Sequence, residues 1–164
     1  MKNMTSELKM SMASLRTVIS QFPQASESLE LTDIGPMRAT MRMAIDDRHL
    51  RPGQTVSGPT MFLLADCAFY IATLAMVGPK KLSVTTNANI NFMRRPVGRA
   101  LIGKATILKL GRHLSVGEVR IYTEHEPQHC VAHATMTYSI PADGVSEAIE
   151  HGRPQEGLVL GEPV

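Results

Sequence analysis

The chain has 164 residues, 43% of them hydrophobic and 20% charged, with a formal net charge of +2, which describes one globular domain large enough to bury a core. The charge is too small and too scattered for a nucleic-acid binder: Arg94-Arg95 and Lys80-Lys81 are the only basic pairs of one kind, enough to grip one small anion but not to follow a phosphate backbone. Cys67 and Cys130 stand far apart in apolar stretches, which excludes a disulfide framework or a zinc site; the N-terminus has no continuous apolar core of a signal peptide, so the expected location is the cytoplasm.

In chain order, residues 5–22 predict an amphipathic helix, because Leu8, Met12, Leu15, Val18 and Ile19 recur at helical spacing. Pro23 ends it. Residues 28–45 predict extended chain divided at Gly35-Pro36. There Met37, Ala39, Met41, Met43 and Ile45 alternate with Arg38, Thr40, Arg42 and Ala44, the pattern of a strand with one buried face. Residues 46–57 read as a charged loop with Pro52 and Gly53. The apolar run 62–77 could pass for a membrane span, but it has 16 residues and contains Asp66. A span needs about 20 residues, so a buried helix is expected, beginning near Pro59 or Thr60 with Ser57 as its N-cap. Gly78-Pro79 stops it. Ala65, Ala68, Ala72 and Ala75 make a small-residue stripe, and Asp66 falls on another face with Phe62, Phe69, Tyr70 and Thr73.

Four strands follow, at 82–93, 100–110, 114–123 and 129–140, with a tight turn at 111–113. In the first, Val84, Thr86, Ala88, Ile90 and Phe92 share one side, and Thr85, Asn87, Asn89 and Asn91 the other. In the last, Cys130, Ala132, Ala134, Met136, Tyr138 and Ile140 point inward. The expected organisation is an N-terminal helix and linker over 1–26, one domain over 27–141, and a tail over 142–164 with little fixed structure beyond a short helical piece. Short connections favour antiparallel pairing. A helix apolar on all sides must be covered, and a strongly curved antiparallel sheet wrapped around one long central helix is an economical α+β solution.

Three blocks, SGPTMFLLADCAFYIATLA (57–75), TTNANINFMRRP (85–96) and ATILKLGRHLSVGEVRIY (105–122), carry a family likeness. In this order they resemble the hotdog-fold thioesterases of the phenylacetate-degradation (PaaI-like) type, over roughly residues 31–140. That family places a His-Gly-Gly before the central helix, then Leu-Ala-Asp. Here Gly58 matches the first Gly and Asp66 falls eight residues later, as in the family. Ser57 stands where the family has His, Pro59 where it has the second Gly, and the region of Arg51 where it has an upstream Asn.

The resemblance implies an acyl-CoA thioesterase acting on a small or medium acyl or aryl thioester, without metal or cofactor. Asp66 would be general base or nucleophile, the sequence leaving both open. Desolvation on an apolar helix makes a carboxylate a stronger proton acceptor. A structural Asp at a subunit interface is the plain alternative. The Gly58 N–H, at a helix N-terminus, would stabilise the oxyanion; otherwise Gly58 only permits a tight turn. Thr85 would help hold the attacking water, with Thr86 its neighbour if the register slips. Arg51 and His49 could polarise the carbonyl or pair with Asp66 of the neighbouring subunit, though a solvated loop charge is the simpler account of each. Ser57 and Thr86 would border the substrate. Arg94, Arg95, Arg112 and His113 are candidates for the CoA phosphates, or ordinary surface charges. The family builds its site between two subunits, so a homodimer is expected, and a dimer of dimers. A non-catalytic acyl-CoA or small-ligand binding module is the alternative function.

Other chemistries lack their signatures. His125, His129 and His133 are spaced by four, but on a strand His129 and His133 would lie about 13 Å apart. There is no Gly-x-Ser-x-Gly elbow and no phosphate-binding glycine loop. Cys67 has no His or Lys beside it to activate a thiolate. A hotdog hydratase would need a His near the helix start, and the nearest upstream is His49.

Overall fold

A computed structural model describes residues 7–23 and 27–143. Its centre is helix α2, Gly58–Val77, of which 14 of 20 residues are buried. It starts one residue earlier than the sequence predicts, because Ser57 Oγ accepts the Thr60 N–H and Pro59 needs no partner for a missing N–H. Gly78, at φ 92°, ends it. At 20 residues its length alone would allow a membrane crossing, so the length argument from sequence does not decide. Burial does: 78% of its apolar window lies inside the fold, making it a core helix.

The cover is one six-stranded antiparallel sheet in the order β1-β2-β6-β7-β8-β5. Its strands are β1 (Leu29–Gly35), β2 (Arg38–Ala44), β5 (Val84–Phe92), β6 (Ala100–Leu110), β7 (Leu114–Thr123) and β8 (Glu126–Ser139). The expected alternation holds on β2, where Ala39, Met41 and Met43 are buried, and on β8 from Ala132 to Tyr138. Cys130 is only half-buried. Pro127, expected to lie before the strand, sits inside the irregular first turn of β8. The sheet lies so close on α2 that a Cβ at Gly117 of β7 would sit 2.5 Å from the Phe69 ring, and it would also meet the Thr106 carbonyl oxygen of the neighbouring strand β6 at 2.2 Å.

Helix α1, Met12–Ser20, is shorter than predicted. Ser11 Oγ accepts the Ser14 N–H and fixes its start. The chain before it is not helical: the Lys9 N–H bonds the Ala75 carbonyl at 2.7 Å. Residues 5 and 6 of the expected helix, and 144–164 of the expected tail, lie outside the described residues. The expected loop 46–57 is more ordered than its composition implies. Asp46 caps a 3-10 turn, Asp47–His49, and a two-residue hairpin follows, β3 (Leu50–Arg51) with β4 (Thr55–Val56). Gly53 (φ 94°) and Gln54 (φ 55°) reverse the chain between them.

The main departure from simple periodicity is on β5. Thr85 pairs with Tyr138 and Asn87 with Thr137, so Thr86 is an extra residue, a β-bulge. Ahead of the bulge the alternation is reversed. Thr85 faces α2, on the same side as Ala88 and Ile90, whereas strict alternation places Thr86 there.

Candidate active site

Asp66 lies on the half-buried shoulder of α2, beneath the start of β5. Its Oδ1 accepts two hydroxyls, Thr85 Oγ1 at 2.6 Å and Tyr138 Oη at 2.7 Å. Tyr138 Oη also reaches the Asp66 carbonyl at 3.1 Å. Among the described residues Oδ2 has no hydrogen-bond partner. Both donors act on one oxygen, so the carboxylate is oriented with the other oxygen free. The pocket beside it holds about 260 Å³ and is walled by Phe22, Cys67, Tyr70, Val84 and Tyr138. Burial, and then the charge of Asp66, raise the Tyr138 phenol well above the ordinary tyrosine range, so Tyr138 stays a neutral donor. Burial likewise pushes the Cys67 thiol up to about 12, with Asp66 adding to the effect; it is no nucleophile.

Thr86, the register alternative, bonds the Thr137 carbonyl at 3.2 Å and does not contact Asp66. Tyr138 was legible only as an inward-facing strand residue. Its register opposite Thr85, which makes it the second donor, depends on a strand pairing between residues far apart in sequence. A buried tyrosine hydroxyl needs a partner, and that was the available signal.

The remaining candidates divide between two places. Gly58, Arg51, Arg94 and Arg95 line an open cleft of about 680 Å³ with Phe92 and Met61. No acidic side chain lines it. The Arg95 side chain is held by the Gly53 carbonyl at 2.5 Å; the side chains of Arg51 and Arg94 have no hydrogen-bond or ion-pair partner among the described residues. In the first turn of α2, Thr60 takes the Ser57 cap, the Met61 N–H bonds the Ser57 carbonyl, and Pro59 has no N–H. The Gly58 N–H is the donor left over, pointing out of the positive end of the helix. Ser57 itself is occupied as the cap, with Thr60 Oγ1 at 2.8 Å. Arg112 and His113 sit elsewhere, at the end of the sheet where β5 begins: Leu114 and Val84 both lie opposite Ser139. His49 borders a separate cavity beside Pro59 and Thr60, with Nδ1 accepting the Asp46 N–H at 3.0 Å.

His133 Nε2 lies 2.7 Å from Glu118 Oε2 on the outer face of the sheet, and this bond holds the Glu118 carboxyl below its ordinary range. Among the described residues no three His, Cys, Asp or Glu cluster as metal ligands.

An antiparallel sheet wrapped around one buried helix, with a carboxylate on that helix facing a small pocket, is the hotdog architecture. The sequence profile of the thioesterase superfamily matches residues 53–130, and the chain belongs to that superfamily. It is 44% identical to a candidate thioesterase from Silicibacter sp. TM1040, with a TM-score of 0.76, over 84% of this chain and 96% of that one. It is 25% identical over 109 residues to a candidate esterase from Haemophilus influenzae, 66% of this chain and 79% of the relative. The PaaI protein of the E. coli phenylacetic acid degradation operon shares the fold at 19% identity, with a TM-score of 0.69, over 80% of this chain and 97% of that protein.

Proposed function

We propose that the protein hydrolyses acyl-CoA thioesters, with Asp66 as its central reactive group. The observation that carries this reading is the doubly held carboxylate. Thr85 and Tyr138 hold Oδ1, Oδ2 has no hydrogen-bond partner among the described residues, and Asp66 lines the pocket. Such a group can take a proton from water as the water oxygen bonds the thioester carbon. Alternatively it attacks that carbon itself and forms an anhydride that water then opens. In both routes the carbonyl oxygen becomes an oxyanion, the carbon–sulfur bond breaks, and the CoA thiolate leaves to take up a proton. The products are a carboxylate and free CoA.

The Gly58 N–H is the proposed oxyanion donor, and a single such donor is worth about 10²–10³ in rate. Within one chain it cannot serve Asp66. Eight residues of helix separate them, about 12 Å at 1.5 Å per residue, whereas both must lie near one carbonyl. A second copy resolves this. Strand β5 is a nine-residue sheet edge with no partner on one side among the described residues, and Val84 and Phe92 on it, with Met93 just after it, are about half exposed. An edge of this length invites pairing. We therefore place the site between two chains, Asp66 and Thr85 from one and Gly58 from the other. Arg51, Arg94 and Arg95, beside Gly58, face the anionic CoA. Arg112 and His113 stand at the Asp66 end and are candidates for the outer part of the CoA.

The test is thiol release from a panel of short, medium, long and aryl acyl-CoAs by the wild-type protein and by Asp66→Asn. Turnover of at least one member is expected, lowered by about 10²–10⁴ in the variant. No turnover by an intact wild-type oligomer would replace hydrolysis with ligand binding as the function.

A further inference from the structure

The pocket behind Asp66 has a wall that does not come from the matched region of the chain. Phe22 follows α1, and its N–H bonds the Ile19 carbonyl at 3.0 Å. Helix α1 is anchored by burial of Leu15, Val18 and Ile19, so Phe22 is carried to a fixed place. Its ring meets Tyr70 edge to face, with centroids 5.7 Å apart and planes at 82°, a favoured aromatic geometry. Tyr70 is pinned in turn, its hydroxyl donating to the Lys81 carbonyl at 2.9 Å. With Cys67 and Val84 these two rings form one side of an open pocket of about 260 Å³.

Charge separates the two ends of a thioester. The cleft at Gly58 has three arginines and no acid along its wall, and it suits phosphates. The Asp66 pocket has Lys81, Ser83 and Thr85 on its wall beside Asp66, but the rings of Phe22, Tyr70 and Tyr138, with Cys67 and Val84, give it an apolar side, and that side suits the acyl group. We propose that Phe22, delivered by α1 and braced by Tyr70, is the residue that limits acyl size, admitting short-chain or phenylacetyl-sized groups and excluding long chains. The inference takes its ligand from the thioesterase reading; the pocket wall itself does not depend on hydrolysis.

The experiment compares wild type, Phe22→Ala and Phe22→Trp on butanoyl-, octanoyl-, dodecanoyl- and phenylacetyl-CoA. In parallel, calorimetry measures binding of the corresponding non-hydrolysable S-alkyl thioethers of CoA. Wild type should favour the small groups. Phe22→Ala should raise the dodecanoyl-to-butanoyl ratio of kcat/KM about tenfold or more, since even one methylene in such a pocket is worth roughly 10–200-fold, and the gain should fall on KM. Phe22→Trp should move the ratio the other way, which guards against a folding defect in the smaller variant. A wild-type preference for dodecanoyl, or an unchanged ratio in both variants, would overturn the proposal. Should no thioester be cleaved, the hydrolase reading fails by itself. The thioether dissociation constants then decide: a shift of the same sign in their dodecyl-to-butyl ratio sustains Phe22 as the limit, and an unchanged ratio in both variants removes it.

Discussion

Thr85 and Thr86 are the same residue type at adjacent positions, and their surroundings separate them. The Thr85 hydroxyl donates to Asp66 at 2.6 Å, and the Thr86 hydroxyl to a main-chain carbonyl of β8. A hydrogen bond to a charged group contributes about 1.5–3 kcal/mol, a factor of about 10–100 if it is lost from the reacting state. Thr85→Val should therefore lower kcat on the best acyl-CoA by about 10–100-fold, and Thr86→Val by far less. Steady-state kinetics of the two variants checks this, and equal losses would mean that the bulge does not separate their roles. The same pair shows what the sequence could and could not tell. Residue types and motif spacing drew attention to Asp66, Gly58 and Thr85. Thr86 stood as the alternative if the register slipped, and the sequence could not decide between them, because an inserted residue leaves no trace in periodicity. Tyr138 was hidden for a related reason: its place opposite Thr85 is a pairing across two distant strands.

At the scale of elements, α2 and the β6–β7 hairpin were legible because each has a strong pattern and clear ends, with Ser57 and Gly78 at one and the 111–113 turn at the other. The β3–β4 hairpin was missed because two-residue strands are too short for any period, and its turn uses a non-glycine positive φ at Gln54. Helix α1 starts later than the spacing predicts because Leu8 sits at helical spacing yet packs from irregular, non-helical chain. The closeness of sheet and helix was also invisible, and Gly117 is where it can be measured. A methyl group there would meet the backbone of β6 at 2.2 Å and the Phe69 ring at 2.5 Å. Backbone cannot give way as a side-chain tip can, so Gly117→Ala should destabilise the fold by about 1–3 kcal/mol. In urea this should lower the unfolding midpoint with the slope unchanged. An unchanged midpoint would mean that β6 and α2 can separate at no cost.

At the scale of the whole molecule, the division of candidates between two clefts becomes an argument about assembly. Asp66 and Gly58 are too far apart on one helix to act on one carbonyl, and β5 offers an open edge beside both of them. In the proposed two-fold arrangement each dimer has two identical sites, each taking Asp66 from one chain and Gly58 from the other. Two inactive variants can then rescue each other. Asp66→Asn removes the carboxylate. Gly58→Pro removes the N–H at a first-turn position where proline is well tolerated, and Ser57 before it is already extended at φ −71°, ψ 153°. Each homodimer should be nearly inactive. In a mixed dimer one site carries both defects and the other carries neither. Random exchange of equal amounts should therefore restore about a quarter of the wild-type activity per chain, because half the dimers are mixed and half their sites intact. A site contained in one chain predicts no recovery at all, since every chain in the mixture carries a defect. Subunit exchange followed by thiol-release assay distinguishes the two, and recovery near a quarter would place the reacting carbonyl between the chains.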